Sequence, residues 1–471
     1  MFTFNIEDKK YLNIHFIGIG GISMSGIAML LLKHGYNISG SDRKASEILN
    51  HLSENGANIY IGQKKENIHN PDLVIYTDAI LPDNEELMKA KSLDIPVVTR
   101  GIFLGALMRN YKNSIAVSGS HGKSTTTSII SKILMNSPED PTILLGGDLD
   151  EIDGNVHVGS EDFLVTEACE YKGNIRHYFP STVIVLNIDE DHLDYYKNLE
   201  DIVETFKAYM RNQDKNSKTI LNLNEKNNRL ILDSIQGRLI TYAQENDDAD
   251  YNAINIRFDE IGRPEFDLKM PDGSLEHFKL GIIGRHNINN AMASIIATYE
   301  NGIDIEIIRE NVKNYTGLHR RMELIGKVNG TKIMTDYGHH PSEIKVTLEA
   351  LKEHTKGRLI CIWQPHTYSR TKTLIDEFAK CFDYADEVIV TEIYAAREKY
   401  DPSIHSKDVV KKLIERNIDA KYIQTFEQAR DYIYEDIKED DLVITTGCGT
   451  PNELAEMIVK DQNQKKEKAL I

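Results

Sequence analysis

A glycine-rich turn between a short apolar segment and a helix constrains this chain more than any other stretch. Residues 115–117 are apolar and predict a buried strand, Gly119 and Gly122 follow, and Lys123 and Ser124 precede a predicted helix. Such a turn directs several backbone N–H groups and the helix dipole at one point, where Lys123 adds a full positive charge. The stretch therefore predicts a phosphate-binding loop, with the Ser124 hydroxyl placed to bind Mg²⁺.

The loop departs from the common spacing G-x-x-x-x-G-K-[ST], because Val117 stands where that pattern has its first glycine. The alternative is an ordinary strand–turn–helix with a surface lysine. A strand before the turn and a helix predicted over 125–134 after it favour phosphate binding. The predicted loop residues are Gly119, Ser120, His121, Gly122, Lys123, Ser124 and Thr125.

A second glycine-rich turn follows the first predicted strand, at residues 18–26. A helix over 27–34 and a strand ending at Asp42 come next, so the segment predicts a βαβ unit of the dinucleotide-binding type. Ser23 occupies the last glycine position of G-x-G-x-x-G, so the turn predicts a diphosphate group without specifying nicotinamide. The alternative is that its glycines only allow tight helix packing. The candidate residues are Gly18, Gly20, Gly21, Ser23 and Asp42.

Arg100 ends a later predicted strand of this first segment. At that position it either meets a phosphate or is a solvated surface arginine, and the sequence favours neither. We include it among the candidate residues for the same diphosphate group.

Charge and apolar content exclude several classes of protein. The chain of 471 residues has 55 Lys and Arg against 73 Asp and Glu, a net charge of −18, which is unlike a general binder of nucleic acid or anionic membranes. It has no run of 18 apolar residues and no apolar signal core, so we expect a cytoplasmic protein. Its four cysteines form no CxxC pair and are expected to be reduced.

Polar residues gather after the predicted strands of the middle segment. Glu167 ends one strand, and carboxylates at that edge of an α/β sheet are candidate Mg²⁺ ligands. A lone histidine is usually structural, but His192 follows a strand in a phosphate-loop domain and is predicted to contact metal or phosphate. The polar cluster around it comprises Asn187, Asp189, Asp191, His192 and Asp194.

A glycine turn at 281–284 leads into an alanine-rich helix that carries Asn287 and Asn290 in its first turn. Amide side chains of this kind pair with an adenine edge, although N-capping by Asn287 is a simpler role. Residues 213–280, which precede this turn, predict only small β-rich additions.

The last segment predicts a second Rossmann-like sheet without a glycine fingerprint. Its polar residues again follow strand ends, as at Asp336, at 364–370 and at 392–399, which includes Arg397. At about 150 residues per domain, the length predicts about three domains. We therefore expect an α/β protein with domains at 1–107, 108–317 and 318–471.

Four motifs in combination with the G-S-H-G-K-S-T loop resemble the ATP-dependent Mur ligases over nearly the whole chain. The motifs are Gly18-Ile-Gly-Gly-Ile-Ser-Met-Ser-Gly-Ile-Ala, Asp336-Tyr-Gly-His-His-Pro, Gln364-Pro-His-Thr-Tyr-Ser-Arg and Ile393-Tyr-Ala-Ala-Arg-Glu-Lys. The resemblance implies a Rossmann-like N-terminal domain for a UDP-sugar, a P-loop ATPase-like central domain for ATP and Mg²⁺, and a Rossmann-like C-terminal domain for an amino acid.

The same resemblance implies a reaction and its partners. It points to the branch of the family that joins L-alanine to UDP-N-acetylmuramate through an acyl phosphate, releasing ADP and phosphate, in peptidoglycan precursor synthesis for cell shape and division. The partners would be these small molecules, with no nucleic acid and no membrane, and the enzyme would be a monomer or a homodimer.

Roles for individual residues are likewise implied by the resemblance. Lys123 would hold the β- and γ-phosphates, Ser124 and Glu167 would bind Mg²⁺, and His192 would serve a second Mg²⁺. The remaining implied contacts are Asn287 and Asn290 with adenine, Asp336 with ribose, Arg321 with phosphates, and His339 and Arg370 with the amino acid. Cys169 and Tyr171 stand where many relatives have Asp and Ser, so the role of Glu170 stays open.

Three alternatives remain at this point. A recycling ligase would join a preformed murein peptide to the same sugar nucleotide and share most motifs. An NAD-dependent dehydrogenase would use the first βαβ unit but would leave residues 119–125 without a role. A non-catalytic nucleotide sensor with a ligase fold would not need polar residues after strand ends in all three segments.

Overall fold

A computed structural model describes residues 2–149, 152, 154–192, 195–259, 262–396 and 398–469. Asp194 and Arg397, which belong to predicted polar segments, lie outside the described residues. The chain forms two compact units. The first contains Met1–Asn255, Phe266–Lys279 and Ile288–Tyr315, and the second contains Ile256–Glu265, Leu280–Asn287 and Thr316–Ile471.

The N-terminal part of the first unit is a five-stranded parallel sheet in the order β3-β2-β1-β4-β5. This strand order is the one found in doubly wound nucleotide-binding folds. Its strands are β1 (Asn13–Ile17), β2 (Asn37–Asp42), β3 (Asn58–Ile61), β4 (Leu73–Tyr76) and β5 (Val97–Thr99). Its helices are α1 (Ile22–Lys33), α2 (Glu47–Glu54), α3 (Glu85–Ser92) and α4 (Arg100–Met108).

A ten-stranded sheet has the order β15-β14-β13-β12-β11-β10-β6-β9-β7-β8. Its strands are β6 (Asn113–Ser118), β7 (Thr142–Leu149), β8 (Gly154–His157), β9 (Phe163–Ala168), β10 (Thr182–Val185), β11 (Lys218–Asn222), β12 (Arg238–Gln244), β13 (Tyr251–Phe258), β14 (Pro264–Lys269) and β15 (Leu275–Lys279). Its helices are α5 (Lys123–Met135), α6 (Leu199–Arg211), α7 (His286–Tyr299) and α8 (Ile305–Lys313). The segment predicted as small additions therefore extends the sheet that carries the phosphate-binding loop.

The third sheet, in the second unit, has the order β16-β17-β21-β18-β19-β20, and only the β16–β17 pair is antiparallel among its described pairings. Its strands are β16 (Glu323–Val328), β17 (Thr331–Asp336), β18 (Leu359–Trp363), β19 (Glu387–Val390), β20 (Ala420–Tyr422) and β21 (Leu442–Thr446). Its helices are α9 (Pro341–Lys352), α10 (Tyr368–Thr373), α11 (Ile375–Cys381), α12 (Ser406–Glu415), α13 (Phe426–Asp436) and α14 (Pro451–Ala469). The predicted α/β class is confirmed.

Helix α4 joins the five-stranded sheet to the ten-stranded one. A single core cluster includes Phe16 of β1, Phe103 of α4 and Val183 of β10. A β-carbon on Gly105 would lie 1.8 Å from the carbonyl oxygen of His177, in a 3₁₀ segment over Tyr171–His177. The backbone of α4 is therefore packed directly against the backbone of this 3₁₀ segment.

Two further observations bear on the sequence-based exclusions. All four cysteines are free thiols. Among the described residues, no helix combines the length and the apolar character needed to cross a membrane.

Candidate active site

The phosphate-binding loop lies between β6 and α5, and α5 begins at Lys123, two residues earlier than predicted. Gly119 and Gly122 have φ values of 137° and 83°, in the region that favours glycine. A β-carbon on Gly122 would also lie 2.4 Å from Oδ1 of Asn290. The loop therefore requires glycine at both positions. It leads into α5, whose first turn carries Ser124 and Thr125, and the backbone N–H groups of such a helix start can bind an anion.

Asn187 connects the phosphate-binding loop to the loop that follows β10. Its Oδ1 accepts a hydrogen bond from the His121 backbone N–H at 2.8 Å, and its Nδ2 donates to the His121 carbonyl at 3.1 Å. Ser120 Oγ similarly donates to the Asp189 carbonyl and accepts from the Asp189 N–H. The sequence placed Asn187 in a polar cluster but gave it no role, and the structure assigns it to support of the phosphate loop.

The Lys123 side chain folds back over its own loop. Its Nζ donates to the carbonyls of Gly119 and Ser120 and lies 3.5 Å from Oε2 of Glu170. Burial alone would lower the pKa of Lys123, but the Glu170 carboxylate and three other acidic groups offset it and raise that pKa above its ordinary value. Lys123 is therefore a fixed cation at the phosphate loop.

Glu170, Asp191 and His192 form a cluster of possible metal ligands. Their ligand atoms all lie within 4.8 Å of one another. Nε2 of His192 is 4.0 Å from Glu170 and 3.7 Å from Asp191. The Glu170 side chain is only 1% exposed, and its Oε1 has no hydrogen-bond partner among the described residues. A buried carboxylate oxygen that has no hydrogen-bond partner among the described residues, beside two further possible ligands, fits a divalent cation.

Glu167, the acid favoured by the sequence, is held differently. It is the penultimate residue of β9, and its Oε1 accepts a hydrogen bond from the Gly146 N–H at 2.9 Å. Its charge still acts on Lys123 and helps to raise the pKa of that lysine. The structure therefore gives the central cluster position to Glu170, whose role the sequence left open, and to Asp191.

At the first glycine turn, the backbone and Asp42 hold the chain in place. The N–H groups of Gly18 and Ile19 donate to the Ser41 carbonyl, and the Gly20 N–H donates to Oδ2 of Asp42 at 2.9 Å. Gly21 is the N-cap residue of α1. The predicted turn and its acidic partner are therefore in direct contact.

Arg100 is the first residue of α4 and reaches back to the glycine turn. Its Nη1 donates to Oγ of Ser23 at 3.2 Å. The nearby Tyr178 phenol, on the 3₁₀ side, raises the pKa of Arg100 despite the opposing effect of burial. Arg100 is thus half-buried between the two sheets instead of a freely solvated surface arginine.

The two asparagines predicted to meet adenine make intramolecular contacts. Asn290 is buried, and its Oδ1 accepts a hydrogen bond from Thr126 Oγ1 at 3.4 Å. In the second unit, Nδ2 of Asn287 donates to the Ile283 carbonyl at 2.7 Å. Asn290 therefore supports the helix that follows the phosphate loop.

Asp336 is the buried acid of the second unit. Its carboxylate accepts hydrogen bonds from the N–H groups of Met322 and Gly338, at 2.9 and 2.8 Å. Burial raises the pKa of Asp336, while the Arg321 guanidinium acts in the opposite direction. Arg320 instead donates to the carbonyls of Gly447 and Gly449, so the two neighbouring arginines serve different contacts.

His339 and Arg370 both lie next to a third residue, His366, which belongs to the motif at 364–370 but had no predicted role. Nη1 of Arg370 is 3.4 Å from Nδ1 of His366, and the His339 and His366 ring centroids are 6.2 Å apart. The Tyr394 ring stacks on His366, with the ring centroids 6.0 Å apart. Burial, Arg370 and His339 lower the pKa of His366 to about 4, so its imidazole is neutral at physiological pH.

The lowered pKa of His366 predicts a loss of stability in weak acid. Between pH 6.5 and about 4 the unfolded chain binds a proton at this position while the folded chain does not, so the free energy of unfolding falls as the pH falls. His366→Gln removes this contribution. Urea unfolding at pH 7 and pH 5 should therefore show a smaller pH-dependent loss in the variant, and equal losses would contradict the assignment.

Three family profiles match the chain in succession. The Mur ligase family catalytic domain matches residues 13–112, the Mur ligase middle domain matches 117–298, and the Mur ligase glutamate ligase domain matches 320–449. The matched ranges follow the three sheets in order.

Whole-chain comparisons show the same likeness. The chain is 44% identical to a protein named UDP-N-acetylmuramate–L-alanine ligase from Caldanaerobacter subterraneus subsp. tengcongensis, covering 98% of this chain and 100% of that one. The solved UDP-N-acetylmuramate–alanine ligase of Thermotoga maritima is similar at TM-score 0.79 and 26% identity, covering 96% and 99%. A murein peptide ligase from Psychrobacter arcticus shares the fold at TM-score 0.70 and 23% identity, covering 96% and 98%.

Proposed function

This chain belongs to the Mur ligase family, and we therefore propose that it joins L-alanine to UDP-N-acetylmuramate at the expense of ATP, giving ADP and phosphate. The observation that carries the proposal is the 44% identity over 98% of the chain to a relative named for this activity. Two features at the glycine loop support it: the Lys123 cation, and the Glu170 oxygen that has no hydrogen-bond partner among the described residues. Phosphoryl transfer needs a cation and a metal ligand of this kind near the transferred group.

We assign the three steps of substrate binding to three domains. Residues 1–107 would bind the UDP portion of the sugar nucleotide, 108–317 would bind ATP, and 318–471 would bind the amino acid. The turn at Gly18, Gly20 and Gly21 would take the diphosphate. Ser23, Asp42 and Arg100 complete this UDP-sugar site, and the hydrogen bond from Arg100 to Ser23 supports their common assignment.

For ATP, the loop of Gly119, Ser120, His121, Gly122, Lys123, Ser124 and Thr125 would hold the phosphates. Lys123 would contact the β- and γ-phosphates after leaving its present carbonyl partners. Asn287 and Asn290 are proposed for adenine, Asp336 for ribose and Arg321 for the phosphates. The present hydrogen bonds of Asn290 and Asp336 support a mainly positional contribution from these two residues.

The residues proposed for Mg²⁺ are Ser124, Glu167 and His192, to which the structure adds Glu170 and Asp191 as candidates. Bound there, Mg²⁺ would neutralise charge on the phosphate oxygens of ATP. Oxygen ligands on Glu170 and Asp191 match the preference of this ion.

The chemistry proceeds in two steps. A carboxylate is a poor acylating agent, so the muramate carboxylate attacks the γ-phosphate of ATP and forms an acyl phosphate, with ADP as the leaving group. The amine of L-alanine then attacks the acyl carbon, and phosphate leaves from the tetrahedral intermediate. The first step brings anions together, so Lys123 contributes by charge neutralisation and the loop by positioning.

His339 and Arg370 are proposed to line the site of the incoming amino acid. The Arg370 guanidinium would attract its carboxylate. The neutral His366, which lies next to both, adds no further positive charge to that site. We also propose a cytoplasmic enzyme that acts on small molecules as a monomer or homodimer.

Phosphate release measures the proposal directly. We expect release with ATP, Mg²⁺, UDP-N-acetylmuramate and L-alanine together, and none when any one substrate is omitted, with the alanyl product identified by mass spectrometry. The tripeptide L-alanyl-γ-D-glutamyl-meso-diaminopimelate replaces L-alanine in a parallel reaction. Turnover with the tripeptide but not with alanine would assign the chain to peptide recycling instead.

A further inference from the structure

The imidazole of His192 rests against an aromatic ring that the proposed reaction does not use. The ring centroids of Tyr171 and His192 are 4.9 Å apart, with their planes inclined at 46°. Nε2 of the same imidazole lies 4.0 Å from Glu170 and 3.7 Å from Asp191. His192 is therefore in contact with the aromatic ring and close to both possible metal ligands.

The backbone around Tyr171 is shaped to bring this ring to His192. Lys172 and Gly173 both have positive φ, 54° and 71°, which turns the chain sharply after Tyr171. Nδ2 of Asn174 then donates to the Tyr171 carbonyl at 2.8 Å and to Oδ2 of Asp78 at 2.8 Å. Strain at Lys172 is retained where the surrounding contacts fix the chain, as happens at functional sites.

Two further tyrosines pack in series against the Tyr171 ring. Tyr195 meets Tyr171 edge-on, with centroids 6.1 Å apart, and Tyr196 meets Tyr195 edge-on at 4.9 Å. The Tyr196 hydroxyl donates to the backbone carbonyl of Glu170. The aromatic cluster thus begins and ends at residues of the candidate metal cluster, which ties the position of the Tyr171 ring to that of the Glu170 backbone.

We propose that Tyr171 is a positioning residue for the ligase reaction, because its ring fixes the imidazole of His192 toward Glu170 and Asp191. The inference rests on the proposed function. The backbone of His192 has a φ of 55°, and its side chain is 23% exposed. Solvent therefore reaches part of the imidazole, and the two acids near Nε2 do not by themselves fix its orientation. An adjacent ring removes the orientations of the imidazole that would turn Nε2 away, as residues around metal ligands commonly do.

The contact also connects His192 to the sheet that carries the first glycine turn. Lys172 Nζ donates to the Asp78 carbonyl at 2.6 Å, and Asp78 follows Thr77, whose Cγ2 lies 2.6 Å from the position of a β-carbon on Gly18. The segment that carries Tyr171 is therefore hydrogen-bonded to residues next to the proposed UDP-sugar site.

Two measurements test this positioning role in Tyr171→Ala. In protein with ¹³C-labelled histidine rings, we expect the His192 resonance, identified by its loss in His192→Gln, to shift more than the other histidine resonances. In initial-rate assays we expect the half-activating Mg²⁺ concentration to rise about tenfold and kcat to fall about tenfold. The KM for UDP-N-acetylmuramate should stay within about twofold, since the diphosphate contacts are retained.

Conservative variants and a control complete the experiment. Tyr171→Phe keeps the ring and should restore both measurements, and Tyr171→Leu replaces Tyr171→Ala if the latter fails to fold. Tyr400→Ala, an exposed aromatic residue of the second unit, should change neither. An unmoved His192 resonance with unchanged Mg²⁺ dependence overturns the inference. Absence of ligation by the wild-type enzyme would instead contradict the proposed function, and the resonance would still test the contact.

Discussion

Replacement of Lys123 by alanine is expected to lower kcat for ligation at least about a thousandfold, since phosphoryl transfer depends mainly on charges placed around the transferring group. Lys123 is the cation of the phosphate loop, and its ammonium is kept charged by Glu170 at 3.5 Å. The measurement is phosphate release at saturating ATP, UDP-N-acetylmuramate and L-alanine.

The same variant must be shown to fold. Removal of the lysine leaves the buried Glu170 without its cation, so we expect a lower melting temperature but an unchanged circular dichroism spectrum at 25 °C. Lys132→Ala, in the last turn of the same helix, is the matched control and should retain wild-type activity. Full ligation by Lys123→Ala would contradict the assignment of the phosphate loop.

Glu170→Gln is expected to lower kcat about a hundredfold and to raise the Mg²⁺ concentration needed for activity. The substitution keeps the size of the side chain but removes the charge that balances Lys123 and supplies an oxygen to the cluster with Asp191 and His192. Isothermal titration with Mg²⁺ and a non-hydrolysable ATP analogue should show weaker binding, which separates a binding defect from a slower chemical step.

A neighbouring carboxylate provides the control for this second variant. Glu190 is exposed in the loop that carries Asp191, so Glu190→Gln removes the same charge without altering the cluster. Its activity should match the wild type. If Glu167→Gln raises the Mg²⁺ concentration needed for activity while Glu170→Gln does not, the residue implied by the family resemblance is the ligand and the cluster assignment is wrong.

The local pattern of the chain was enough to predict the phosphate-binding loop and the α/β class. Apolar residues 115–117 lie in β6 and α5 follows the glycines, because strand, turn and helix are set by residues adjacent in sequence. The starts of helices were less predictable. Helix α1 begins at Ile22 instead of Ile27, since glycine and serine residues within its first turns resemble a loop.

The contacts that complete the site depend on strand order, which the sequence does not contain. Asn187 can clamp His121 only because β10 and β6 are neighbours in the sheet. Glu170 joins Asp191 and His192 because β9 and β10 bring their following loops to one edge of the sheet, and the positive φ at Lys172 in the first of these loops has no clear sequence signal. His366 belongs to a recognisable motif, but only the fold brings it close to His339.

The close approach of α4 to the 3₁₀ segment limits how this molecule can move. A β-carbon at Gly101 would lie 2.2 Å from Oδ1 of Asn174, and the clearance at Gly105 is smaller still, so the helix cannot slide along that seam without a backbone clash. Any motion that accompanies substrate binding should therefore leave the packing of α4 against the 3₁₀ segment unchanged. The distance between a spin label on α2 and another on α6 should therefore be the same with and without bound nucleotide.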